Sequence, residues 1–246
     1  MMRLFLILFV FLTSASLAGA ETGHGLLHAK VNLSDQGSLQ RGARTFVNYC
    51  LSCHSAAYMR FNRLGKDLGI DEQILKANLM FGTDKSGDTM TVNMSKDDAK
   101  QYFGVAPPDL SVISRSRGAD WLYTYLMSFY LDDKRPLGVN NLVFKDIAMP
   151  HVLWELQGWQ KPVYREGSGT DGSSIKEIDH LEPVRPDEQK TKEYAKTVGD
   201  LVNFLVYLGE PIKLKRYTIG SWVIIYLLVF LVIAYLLKKE YWKDIH

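Results

Sequence analysis

Two apolar runs bracket the chain, and the stretch between them alternates amphipathic with polar segments. Met1 to Ala20 carries one early positive charge, Arg3, then an apolar run from Leu4 to Leu12, then small residues ending Ala18-Gly19-Ala20. This is the form of a secretory signal with an A-x-A-like cleavage site, and the run is short for a bilayer span. Cleavage after Ala20 and export of the chain from Glu21 onward are the expectation. At the other end, Ile219 to Leu237 is nineteen residues without a charge. At about 1.5 Å per residue it just crosses a hydrocarbon core of about 30 Å. Tyr217, Trp222, Tyr241 and Trp242 lie near its ends, where interfacial aromatics belong. Flanking charge does not orient it, because Lys213, Lys215 and Arg216 balance Lys238, Lys239 and Lys243. The export signal does. The expected order is a cleaved signal over 1–20, an exported domain over 21–216, a membrane anchor over 217–238 and a cytoplasmic tail over 239–246.

Within the exported part, Leu39 to Tyr49 predicts a helix with Gly42, Phe46 and Tyr49 on one face. A glycine there permits close approach of another backbone. The expected partner is Lys192 to Leu208, where Val198, Leu201, Val202, Leu205 and Leu208 form an apolar stripe, stopped by Gly209-Glu210-Pro211. Trp121, Tyr123 and Tyr125 start an aromatic-rich helix expected to reach Tyr130. Phe81 to Gln101 is polar, with a loop over residues 82–88, and Lys161 to Gln189 reads as an insertion with a hairpin tip at residues 167–172.

Roughly 200 residues between the ends suffice for one domain with a real core. The formal charge of +2 gives no case for nucleic acid. From Lys66 to Asp109 there are eight acids against five lysines, a run that could help dock a basic protein but is more often solvated surface.

Chemistry enters with Cys50-Leu51-Ser52-Cys53-His54, the C-x-x-C-H pattern of covalent c-type haem attachment. Two thiols three positions apart can each form a thioether, and the adjacent imidazole can reach the iron. A zinc site would need two further ligands at matched spacing, and the chain has no other cysteine. Both thiols are then consumed, leaving none for a disulfide.

The sixth ligand separates electron transfer from chemistry on a bound gas or peroxide. Candidates are Met59, Met80, Met90, Met94, Met127 and Met149. Met149 stands out because Pro150 stiffens the backbone after it, with His151 as a competing ligand. Between the two ligand segments lie Pro107-Pro108-Asp109-Leu110-Ser111, a stiff turn, then Arg115 and Arg117, either of which could pair with a haem propionate.

Taken together, residues 41–55 around the haem motif, Tyr58-Met59-Arg60, Pro107 to Ser111, Ala148-Met149-Pro150 and the single carboxy-terminal anchor resemble the bacterial cytochrome c1 family, over essentially the whole mature chain. The resemblance implies an all-α, class I cytochrome c-like haem domain with loop and short-hairpin insertions, plus one transmembrane helix. It implies one haem c on Cys50 and Cys53, His54 and Met149 as axial ligands, Pro108 at the cofactor, and Arg117 at a propionate with Arg115 the alternative. It implies electron transfer from a Rieske iron–sulfur protein to a c-type cytochrome, beside cytochrome b in a dimeric, membrane-bound cytochrome bc1 complex, with the haem domain in the periplasm. Quinol oxidation would then belong to another subunit, and this chain would hold no self-contained catalytic site. Two other readings of the motif are a membrane-anchored, peroxidase-like haem enzyme and a free-standing anchored cytochrome c.

Overall fold

The computed structural model describes residues 25–92, 94–168 and 174–243. The expected signal at 1–20 and the last three tail residues, 244–246, lie outside them, as does most of the expected hairpin tip. The core is a crossing of two helices, α1 (Gln36–Tyr49) and the later α8 (Glu188–Gly209). Asp35 caps α1 by accepting from the Ser38 N–H, and Asp187 caps α8 by accepting from the Lys190 N–H. The apolar stripe Val198, Leu201, Val202, Leu205 and Leu208 is buried along its length. Phe46 of α1 and Phe204 of α8 meet with ring centroids 5.6 Å apart, and both are fully buried. At the crossing Gly42 lies against the Asp200 backbone, where any side chain would overlap it. Beside it Arg41 grips the Asp200 carboxylate through Nε at 2.6 Å and a terminal nitrogen at 3.0 Å.

Between these helices the chain forms short elements: β1 (Ala56–Arg60), α2 (Phe61–Leu68), α3 (Glu72–Leu79), β2 (Thr89–Met90), α4 (Lys96–Phe103), α5 (Ile113–Arg117) and α6 (Ala119–Met127). Gly69 ends α2 in the left-handed region at φ 62°, a conformation glycine takes without Cβ strain. Both α5 and α6 pack on α8. The amino-terminal segment ties down α6 and α8: the Leu27 N–H donates to Thr124 Oγ1, the Ala29 N–H to Asp120 Oδ1, and the Asn32 N–H to Asn203 Oδ1.

The aromatic helix stops at Met127 rather than Tyr130. Phe129–Leu131 (β3) instead pairs antiparallel with Val139–Asn141 (β4), a distant partner that no local pattern reveals. After the four-residue α7 (Trp154–Gln157), β5 (Gln160–Ser168) and β6 (Ser174–Pro183) form a hairpin longer than expected. The domain is thus helical, with three small two-stranded sheets among the described residues. Finally α9 (Lys213–Tyr241) runs 29 residues, takes in the uncharged segment, and keeps its apolar surface exposed, long and apolar enough to cross a membrane.

Candidate haem site

The segment Cys50 to His54 continues the last turn of α1. The Cys50 and Leu51 N–H groups donate to Phe46 O at 2.8 and 2.9 Å, and those of Cys53 and His54 to Cys50 O at 3.0 and 2.8 Å. This turn brings both thiols and the imidazole to the wall of one cavity of about 440 Å³. The size lies within the range of cofactor pockets, about 300–1,000 Å³. Its other walls are largely apolar, from Tyr49, Leu110, Ile113, Leu122, Leu126, Leu201 and Leu205 among others.

One ring nitrogen of His54 is already engaged. Its Nδ1 lies 2.8 Å from the Pro108 carbonyl oxygen, which can only accept, so Nδ1 carries the proton and Nε2 is left bare. Burial lowers the basicity of His54, opposed by that bond and by Asp109. Burial, then Cys53, pushes the Cys50 thiol up to about 12. Both cysteines are free of a disulfide.

The Pro107–Ser111 segment does more than form a stiff turn. Asp109 accepts from the Ala57 N–H at 2.9 Å and from the Ser111 N–H at 2.8 Å, Ser111 Oγ accepts from the Tyr58 N–H at 3.1 Å, and the Leu110 N–H donates to Ser55 O at 2.8 Å. The segment is stitched to the chain just past His54, which places the Pro108 carbonyl. Sequence reasoning saw the prolines but not the roles of Asp109 and Ser111.

Met149 reaches the same cavity from a loop, alone among the methionines of the described residues. Met59, Met80 and Met90 are buried in the core, Met127 packs against it, and Met94 lines a neighbouring cavity of about 370 Å³ that shares Cys53 as wall. His151 does not line the cavity. Its ring stacks on Phe129 at 4.7 Å and meets the edge of Trp159 at 6.0 Å, and its buried Nε2 has no hydrogen-bond partner. Burial holds it down at about 4, with Gln157 opposing.

Two buried asparagines shape the Met149 loop. Asn141 Nδ2 donates to the Tyr125 carbonyl at 2.7 Å, and its Oδ1 accepts from Ser128 Oγ and the Val143 N–H. Asn140 Oδ1 accepts from the Asn141 and Asp146 N–H groups, both at 2.9 Å. Asp146 sits at φ 60° and pairs with Arg135 at 2.9 Å. No local sequence pattern marks this pair, and its burial comes only with the fold.

Arg117 lines the cavity, its guanidinium 4.9 Å from the Trp121 ring centroid and 5.9 Å from that of Phe144. Arg115 does not line it, and its side chain lies against Gly209 of α8. Trp121 and Tyr125 line the cavity and stack at 5.0 Å. Two thiols, an imidazole with a bare Nε2, a thioether and a guanidinium around one apolar cavity form a donor set that fits haem c.

A family model described as Cytochrome C1 family matches residues 28–245. The chain is 49% identical over 246 residues to a protein named cytochrome c1 from Allochromatium vinosum, covering the whole of both. It is also 49% identical over 218 residues to one named ammonia monooxygenase gamma subunit from Nitrosomonas europaea, covering 89% of this chain and 88% of that one. A longer protein named cytochrome b/c1 from Bradyrhizobium diazoefficiens is 26% identical over 247 residues, covering 86% of this chain and 34% of its own length.

Proposed function

This chain belongs to the cytochrome c1 family, and from that premise we propose that it holds one haem c and relays single electrons within a cytochrome bc1 complex. The observation that carries the reading is one apolar cavity lined by both the C-x-x-C-H turn and Met149. When bound there, the haem supplies a one-electron couple at its iron. Everything else is done by this chain. Cys50 and Cys53 would hold the group through two thioethers. His54 offers Nε2 because Pro108 engages Nδ1. Met149 offers a soft thioether, which favours reduced iron. The apolar walls exclude water and so disfavour the extra charge of the oxidised state. Arg117, at the rim, is the cation placed to meet a propionate.

The electron arrives from a Rieske iron–sulfur protein and leaves to a c-type cytochrome, with cytochrome b as the membrane neighbour and the assembly a dimer. The relative whose name joins cytochrome b and c1 supports that neighbour. The haem domain faces the periplasm and α9 is the inner-membrane anchor, as the export signal and the exposed apolar helix support. The test is gentle solubilisation of membranes holding a tagged chain. Copurification of a b-type cytochrome and a Rieske centre is expected. A chain that purifies alone, or with the subunits of a monooxygenase, overturns the assignment. Ligation is checked by the Met–iron charge-transfer band of the oxidised protein, expected in the wild type and lost in Met149→Leu.

A further inference from the structure

The Tyr125 hydroxyl donates a hydrogen bond to Met149 Sδ at 3.3 Å. We propose that this bond is a redox-tuning contact, by which Tyr125 raises the reduction potential of the site through the sulfur of the axial methionine. The inference rests on the haem c reading of the site above.

The geometry leaves the tyrosine little choice. Its ring is held flat against Trp121, with centroids 5.0 Å apart and planes 12° apart, and edge-on to Phe129 at 5.3 Å. Its backbone carbonyl is held by Asn141, from the strand that leads into the Met149 loop. The side chain and the loop are therefore positioned by the same small network. Both Tyr125 and Met149 face the cavity.

A thioether sulfur has two lone pairs, so one can accept from the phenol while the other is given to a metal. A donor on the sulfur withdraws density from it. Ferric iron depends on that density more than ferrous iron does, because it carries the greater charge. The hydrogen bond thus weakens the methionine's hold on the oxidised metal and favours the reduced state, the outer-shell lever on potential that axial ligation leaves open. Tyr125 is a positioning and tuning residue; it binds no metal itself.

The experiment is spectroelectrochemical titration of the full-length haem protein, wild type against Tyr125→Phe, with cyanide affinity of the oxidised form as a second readout. Tyr125→Phe keeps both ring contacts and removes only the donor. The expected result is a retained charge-transfer band, weaker cyanide binding, and a fall in midpoint potential. The fall should correspond to about three- to tenfold in the one-electron equilibrium, the range of one ordinary hydrogen bond, where tenfold is about 59 mV. Replacing Tyr125 with 3-fluorotyrosine, a stronger donor, should move the potential the other way. Tyr123→Phe is the control, since that hydroxyl lies 3.5 Å from the Ala195 carbonyl and its potential should match the wild type.

An unchanged or raised potential in Tyr125→Phe with the band intact overturns the inference. So does loss of the band, which would make the hydroxyl a prop for the loop, and so does an equal shift in Tyr123→Phe. A wild-type protein without the band sinks the Met149 ligation reading instead, and is thereby distinguished from failure of this inference alone.

Discussion

The close backbone approach at the helix crossing makes Gly42→Ala the sharpest test of how the fold holds the site. A Cβ at Gly42 would overlap the Asp200 carbonyl oxygen, stand 2.6 Å from Phe204 Cβ and 2.9 Å from the Asp200 carbonyl carbon. Ordinary contacts begin at about 3.5 Å, so α1 and α8 would have to part by on the order of 1 Å. Overpacking of this kind costs about 1–3 kcal/mol, and backbone atoms cannot rotate away, which puts the cost near the top of that range. Alanine returns about 1 kcal/mol of helix propensity. The net is a loss of about 2 kcal/mol, or about 4–8 °C in melting temperature for a chain of this size. The matched control lies on the partner helix. Gly199 is also inside α8, but nothing stands within 4 Å of its would-be Cβ, so Gly199→Ala should gain about 1 kcal/mol from propensity alone. The assay is thermal unfolding of the detergent-solubilised protein by near-ultraviolet circular dichroism, with covalent haem scored on a denaturing gel. A Gly42→Ala protein melting at or above wild type, while Gly199→Ala behaves as stated, would refute the packing argument.

Asn141→Ala should leave the Tyr125 carbonyl, the Ser128 hydroxyl and the Val143 N–H without their partner in a buried place, costing about 2–4 kcal/mol by unfolding calorimetry. It should also weaken the methionine charge-transfer band; an intact band and unchanged melting would refute the network's role. Arg117→Gln should lower the midpoint potential by removing a cation at the cavity rim, whereas Arg115→Gln should leave it alone; equal shifts would undo that distinction.

Much of the fold was readable from local sequence because the signals involved are local. The apolar stripe of α8 and its stop at Gly209-Glu210-Pro211 depend on residues within a few positions of each other, and so does the C-x-x-C-H turn. Gly42 signalled a close approach by lacking a side chain at a facing position. What stayed hidden depends on partners far along the chain. Phe129–Leu131 leaves the helix because Val139–Asn141 is there to pair with it. Met149 and His151 lie two residues apart and both can ligate iron, so spacing could not separate them. Stacking of His151 on Phe129 and Trp159 turns it from the cavity. Arg115 and Arg117, likewise two apart, are separated only by which of them α8 covers.

The two halves of the site are therefore held by different means, and that has a consequence for what can be changed independently. The Cys50–His54 turn is the end of α1, so its position is fixed by the α1–α8 crossing and by the Pro107–Ser111 stitch. Met149 hangs on a loop set by Asn140, Asn141 and Tyr125, whose anchor is the carboxy-terminal end of α6. Strain at the crossing would act first on the Cys50–Cys53 side, where the proposed thioethers would hold the group regardless of small displacements. Strain in the asparagine network would act first on Met149, the proposed second ligand, which has no covalent tether to keep it in place. A lesion in the first should read out mainly as lost stability and a lesion in the second mainly as altered potential, which would make the proposed attachment and the proposed redox tuning separable.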